Sequence, residues 1–159
     1  PGRVNRMWFN AKAEDLYYGQ CAEFCGTSHA NMRFRVKAVS SEEFEAWIAE
    51  RQQGAKEPTD PKAVAGMRLF MGETAKAKAN CIICHTVDGT KAQGKVGPNL
   101  TNIGARSSLA AGVLENTEEN LKKWIREPQT IKPGTVMSPH PNLDAQEMDQ
   151  LVKYLQGLK

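Results

Sequence analysis

Residues 32–39, Met-Arg-Phe-Arg-Val-Lys-Ala-Val, alternate apolar and charged side chains, which is the period of a strand with one buried face. At Ser40 the period changes. Ser40 and Glu43 stand at capping-box spacing, and Phe44, Trp47 and Ile48 follow as an apolar stripe at helical spacing. A helix is expected there, fading near Arg51 to Gly54. The stretch Gly54-Ala-Lys-Glu-Pro-Thr-Asp-Pro61 is polar and holds two prolines, so residues 54–61 read as a linker. The boundary divides the chain into residues 1–53 and residues 62–159.

Beyond the linker the period is helical. Asp60 can cap a helix whose first residue is Pro61, with Val64, Met67, Phe70 and Met71 on one face. Thr117 can cap a second helix carrying Leu121, Trp124 and Ile125, stopped by Pro128. Asp144 with Glu147 makes a capping box. Met148, Leu151, Val152 and Leu155 follow at i, i+3, i+4 and i+7, and Gly157 ends the run. The second region is therefore mainly helical, with connecting loops long enough to need something to pack against.

Composition changes this picture little. The chain holds 159 residues, enough for one ordinary domain or two small ones, and 40% apolar with 25% charged content is normal for globular material. No run of about 18 apolar residues exists, so no segment reads as membrane-spanning. The opening Pro1-Gly2-Arg3-Val4-Asn5 lacks the apolar core of a signal peptide. A net charge of +3 is too small to argue for a nucleic-acid partner. Residues 1–53 are balanced, with seven basic and seven acidic side chains, so the positive excess belongs to residues 54–159. The four cysteines matter more. They form two tight pairs, Cys21/Cys25 and Cys81/Cys84, each with a histidine close behind, which suggests metal or haem chemistry in two places.

Cys81-Ile-Ile-Cys84-His85 is the attachment sequence of c-type haem. Two thiols form thioethers with the haem vinyl groups, and the histidine directly after the second reaches the iron. A redox Cys-x-x-Cys pair or half a zinc site are the alternatives; a zinc ribbon would need a second pair of donors, and only His140 remains downstream. For the other axial position, Met137 lies in the turn-rich Lys132-Pro133-Gly134-Thr135-Val136-Met137. A thioether there raises the reduction potential, and with both axial positions filled the haem carries electrons without binding substrate. His140 is the rival ligand, and plain core packing is the other role open to Met137.

Cys21-Ala-Glu23-Phe-Cys25-Gly-Thr-Ser-His29-Ala-Asn-Met32 is the second constellation. Two thiolates, an imidazole and a thioether within so short a span suit copper, which takes soft sulfur and nitrogen ligands. Zinc accepts thioethers poorly, and a Cys21–Cys25 disulfide is the bland alternative.

Residues 62–159 resemble class I cytochromes c, an all-α fold. The resemblance implies that Gly66 and Phe70 on the first helix and Tyr154 on the last form the family's crossing of terminal helices. It implies that the Pro98 carbonyl, in Gly97-Pro98-Asn99-Leu100, receives the His85 ring N–H. It also implies that Trp124 supports a haem propionate, although core packing explains that residue nearly as well. Residues 1–53 resemble the C-terminal part of the cupredoxin-like β-sandwich of cytochrome c oxidase subunit II, through Pro1–Asn5, Trp8-Phe9, Tyr18-Gly19-Gln20, the cysteine loop and the strand after Met32. That resemblance implies a dinuclear CuA centre bridged by Cys21 and Cys25, with His29, a weak axial Met32 and the Glu23 carbonyl completing the set. The Glu23 carboxylate would face a magnesium ion shared with the catalytic subunit. The family's other copper histidine, its first sheet strands and its membrane hairpin lie upstream of the Pro-Gly-Arg stretch. The chain is therefore expected to be truncated, without a membrane anchor, and residues 1–53 alone are not expected to form a proper copper site or a stable sandwich.

A CuA loop fused to a cytochrome c resembles the caa-type haem–copper oxidases. The implied function is an electron-transfer subunit of a respiratory terminal oxidase, passing electrons from haem c to CuA and on to the oxygen-reducing catalytic subunit I. Its donor would be a quinol–cytochrome c reductase or a cytochrome c, and its domains would sit on the outer face of the cell membrane. Three rivals have discriminators. A nitrous oxide reductase usually lacks the glutamate of Cys-x-Glu-x-Cys, so Glu23 counts against it. A CuA-bearing nitric oxide reductase is separated by its co-purifying catalytic subunit. A stand-alone carrier cytochrome would hold haem and no copper.

Overall fold

The Cys21-to-Met32 segment is a loop between two short strands. Strand β1 (Leu16–Gln20) pairs antiparallel with β2 (Arg33–Lys37), Gln20 facing Arg33 and Leu16 facing Lys37. The computed structural model describes residues 2–74 and 79–159; Pro1, the first residue of the Pro-Gly-Arg stretch, lies outside the described residues. Helix α1 (Ser41–Arg51) follows, its first turn capped by the Ser40 hydroxyl accepting from the Glu43 amide. Residues 52–60 contain no helix or strand.

The helical region then begins. Helix α2 (Pro61–Phe70) starts with Asp60 accepting from the Ala63 amide and Pro61 in the first turn, where its missing N–H costs nothing. A two-residue antiparallel pair, β3 (Ser108–Leu109) and β4 (Leu114–Glu115), precedes α3 (Glu118–Arg126), capped by Thr117. A single turn, α4 (Pro128–Ile131), leads into the Met137 loop. Helix α5 (Ala145–Gly157) opens with the expected reciprocal box between Asp144 and Glu147.

The core forms where α2 crosses α5. Gly66 is buried at the crossing, and a Cβ there would overlap the Gln150 carbonyl, so only glycine lets the two backbones meet. One turn away the rings of Phe70 and Tyr154 tilt together with centroids 5.5 Å apart. Met148, Leu151, Val152 and Leu155 are all buried, as their spacing predicts, and Leu121 and Ile125 of α3 close the cluster.

One expectation needs correction, the all-α second region, and the first region buries little. The stripe on α1 does not build a core: Phe44 and Trp47 are 49% and 53% exposed, and no residue of α1 is buried. The Phe44 and Trp47 rings stack on each other, and Arg51 lies over Trp47, so the stripe covers itself instead of a partner. Of the β-sandwich whose C-terminal part the resemblance implies for residues 1–53, the described residues show one two-stranded sheet. A single sheet has no second layer to bury its face, which leaves Phe34 and Tyr18 exposed. The second region is also not purely α, because the β3–β4 hairpin interrupts it. Ala110, Ala111 and Gly112 turn that hairpin through left-handed backbone, at φ 54°, 61° and 78°.

Candidate metal centres

The cysteine loop of the first region closes at its base, where the Cys21 amide donates to the Met32 carbonyl at 2.8 Å. A 3₁₀ turn (His29–Asn31), entered through Gly26 at φ 115°, folds the loop back on itself. The donors converge as a result. Cys25 Sγ lies 3.5 Å from Cys21 Sγ, 3.6 Å from His29 Nδ1 and 3.4 Å from Met32 Sδ, and Cys21 Sγ lies 3.1 Å from the Glu23 carbonyl. The donor atoms of Cys21, Cys25 and His29 all fall within 4.8 Å of one another. Both cysteines are free thiols, well beyond the roughly 2.05 Å of a disulfide, so the disulfide alternative fails. The interaction with the Cys21 thiol, then burial, raises the Cys25 thiol above its ordinary value. Two sulfurs, an imidazole nitrogen, a thioether and a carbonyl around one point fit a soft metal. The Glu23 residue itself is exposed.

In the second region a 3₁₀ turn (Cys81–Ile83) carries the haem motif. Both the Cys84 and the His85 amides donate to the Cys81 carbonyl, at 3.1 and 2.9 Å, so a single turn holds both thiols and the imidazole. His85 Nδ1 lies 2.8 Å from the Pro98 carbonyl. A carbonyl only accepts, so that contact puts the ring proton on Nδ1 and leaves the Nε2 lone pair for a metal. Gly97 is the packing reason for the ring's place: a Cβ there would come 2.5 Å from His85 Cε1. The loop is stapled by its neighbours, with the Gly97 amide on the Cys84 carbonyl and the Leu100 amide on the Thr86 carbonyl. Asn99 ties it further, accepting from the Thr101 hydroxyl and donating to Asp88.

Apolar side chains border this motif without being fully covered. Met67, Cys81, Ile82, Leu100, Leu114 and Met137 are partly buried and pack against the α2–α5 core. Burial, then the charge of Cys84, pushes the Cys81 thiol up to about 12. Burial and then Cys81 push Tyr154 up to about 12, and its buried hydroxyl has no hydrogen-bond partner among the described residues. An apolar rim, two free thiols, a free imidazole nitrogen and an orphaned phenol beside Cys81 fit a porphyrin wedge. Met137 belongs to this rim. The His140 ring is half-buried, and burial, then His85, lowers its pKa, so it too stands within reach of the motif's charge. Trp124 is half-buried on α3 between buried Leu121 and Ile125, a position that serves core packing as well as cofactor support.

Comparison with known proteins decides the second region. The cytochrome c family matches residues 63–159, more than half of the chain. The chain belongs to the cytochrome c family. Residues 1–39 match the periplasmic domain of cytochrome C oxidase subunit II, so the chain joins the two kinds of segment in that order. It is similar to cytochrome c oxidase subunit 2 of Alkalihalophilus pseudofirmus, 40% identical over 100% of this chain and 44% of the relative. Cytochrome c oxidase subunit 2 of a Bacillus species is 42% identical over 98% of this chain and 44% of the relative, and that of Bacillus subtilis is 38% identical over 93% and 41%. The chain thus spans less than half the length of these relatives. Membership implies haem c and electron transport for the second region. Among the described residues, no helix is long and apolar enough to cross a membrane.

The residues that sequence reasoning missed lie between the regions. Ser28, Arg33 and Arg35 of the first region meet Pro133, Ala111 and Ser107 of the second. No local pattern announces them, since alanines carry no signal for left-handed backbone and a lone serine none for a long-range bond.

Proposed function

We propose that this chain is the electron relay of a caa-type respiratory terminal oxidase, residues 1–53 forming part of its CuA domain, 54–61 the linker and 62–159 the cytochrome c domain. Cys81 and Cys84 tether haem c, and His85 and Met137 ligate its iron, with Pro98 fixing the His85 tautomer and Trp124 bordering the group. Cys21, Cys25, His29, Met32 and the Glu23 carbonyl supply this chain's share of the copper site, which in the family is completed by a histidine upstream of the Pro-Gly-Arg stretch, and the Glu23 carboxylate contributes to a magnesium site at the catalytic subunit. The bound groups supply one-electron chemistry. The chain's own residues hold them, keep water from the porphyrin edge and set their potentials. A thioether at Met137 favours the ferrous state, whereas an imidazole from His140 would lower the potential.

The observation that carries this reading is the closure of the Cys21–Met32 loop on Cys25, four donor groups within hydrogen-bond range in a chain that also bears a cytochrome c fold. A carrier cytochrome has no use for that cluster. The partners follow: subunit I as acceptor, with the other oxidase subunits around it, and a quinol–cytochrome c reductase or cytochrome c as donor. Both regions stand on the outer face of the cell membrane, where haem is attached. The test is haem and copper analysis of the full-length gene product, with electron paramagnetic resonance of the oxidised form. One covalent haem, and hyperfine structure from two equivalent copper nuclei, support the relay. Intact haem without copper would return the chain to the stand-alone carriers.

A further inference from the structure

The two metal loops touch. Ser28, directly before His29, donates its hydroxyl to the Pro133 carbonyl at 2.5 Å, four residues before Met137. Beside this bond Gly134, at φ 82°, leaves room for Thr27, whose Cβ a side chain there would meet at 3.4 Å. On the strand that follows, the Arg33 amide points away from β1 and donates to the Ala111 carbonyl at 3.0 Å. Arg35 reaches the Ser107 hydroxyl at 3.5 Å, and Gly112 clears the Arg33 Cβ, which a Cβ at that position would approach to 3.1 Å.

We propose that the β3–β4 hairpin and the loop at Pro133–Gly134 form a built docking face for the outer edge of β2 and the His29 loop, so that the cytochrome region rests docked rather than searching on its linker. The chemistry of the contact is neutral. Its donors meet carbonyl and hydroxyl oxygens, and the charged side chains present, Arg33, Arg35 and Lys132, share one sign. Lys132 lies 3.5 Å from the Ala110 carbonyl, which leaves it bracing the hairpin, not pairing with an acid. An unpaired strand edge is the natural acceptor for such an added backbone segment. The left-handed Ala110 and Ala111 are costly conformations for non-glycine residues, and they turn the Ala111 carbonyl onto that edge.

The significance of the docking rests on the relay reading. One electron leaves a ferrous haem and reduces an oxidised copper pair by one, with no proton moved, and the backbone from Met137 to Pro133 and from Ser28 to His29 joins the two ligand loops through one hydrogen bond. Ser28 is then a positioning residue.

Amide hydrogen exchange on the haem-loaded full chain tests this. The Arg33 amide is expected to be protected and to keep or gain protection as salt rises, because among the described residues no ion pair holds the face and salt screens the repulsion of its like charges. Ser28→Ala should lower that protection about fivefold, the worth of one neutral hydrogen bond, and Ser28→Thr should restore it. Gly112→Ala attacks the same face from the cytochrome side and should also expose the Arg33 amide while the haem absorption spectrum stays intact. In the copper-loaded protein, flash-initiated transfer from haem to copper should slow in Ser28→Ala and recover in Ser28→Thr. An Arg33 amide exchanging like free peptide, or protection that collapses with salt or ignores both variants, overturns the docking. A full-length gene product that fails to take up copper overturns the relay instead, and leaves the exchange result standing.

Discussion

The two regions that carry candidate metal donors gather them in opposite ways. Every buried apolar side chain among the described residues lies at or beyond Ala63, whereas Val4, Met7, Trp8, Phe9 and Phe24 of the first region are all more than half exposed. Yet the first region gathers its donors more tightly. Its ligands sit within one twelve-residue loop, so a closing backbone bond and a 3₁₀ turn suffice to bring sulfur, nitrogen and oxygen together. On the proposed reading the second region holds Cys81, His85 and Met137 around one group across more than fifty residues of chain, and only a packed helical core can do that. A metal loop can be local; a haem slot is a property of the whole domain.

The sharpest way to break that contrast is to remove the group each region holds. Cys81→Ser with Cys84→Ser should abolish covalent haem and cost the second region most of its stability, read by acid–acetone extraction and by the loss of a cooperative melting transition. Cys21→Ser should abolish copper binding and leave that transition where it was. A first region that melted together with the second in the absence of haem would erase the distinction.

Packing changes come next. Gly66→Val places a branched side chain on the Gln150 carbonyl and should cost about 3 kcal/mol or more, measured by chemical denaturation of the haem-loaded chain. Trp47→Ala removes an aromatic that is 53% exposed and packs on no core, and should cost under about 1 kcal/mol. Equal costs would mean that the α1 stripe has a partner after all.

Met137→Ala should leave the haem attached, lower its potential and remove the sulfur-to-iron charge-transfer band at the red end of the spectrum. A surviving band would assign the ligand elsewhere, with His140 first in line.

The smallest effect concerns pH. Asp149 on α5 accepts from Lys122 of α3 and Lys62 of α2, and those hydrogen bonds, Lys122 first, hold its carboxyl below the usual range. A carboxyl depressed in the folded state lends stability above its unfolded pKa and loses it as pH falls through the folded value. Asp149→Asn should therefore flatten the acid limb of the melting-temperature profile and leave neutral pH nearly unchanged, since exposed ion pairs contribute little. The bonds from Asp149 and Glu118 raise Lys122, so its contribution is present below the ordinary lysine value and fades only at still higher pH.

Much of this was legible because it is local. The caps at Ser40, Asp60, Thr117 and Asp144 form as their spacing predicts, since each needs only a side chain and an amide three residues on. The stripe Met148–Leu155 was readable for the same reason. The α1 stripe lies on the helix its spacing predicts, but periodicity says which residues share a face, not whether anything covers it. The hairpin at Ala110–Gly112 escaped because its left-handed alanines are held by the contacts of Ala111 with Arg33 and of Ala110 with Lys132, far away in sequence.

By itself, then, the sequence determined which donors exist and at what offsets: two thiols and an imidazole twice over, a thioether near each, and helices with their ends marked. Tertiary structure alone decided that Ser28 meets Pro133, that Arg33 meets Ala111, and that the α1 stripe stays uncovered. The physical reason is range. Offsets within a turn are set by covalent geometry, whereas contacts between distant segments depend on how the whole chain collapses, and no short window records that.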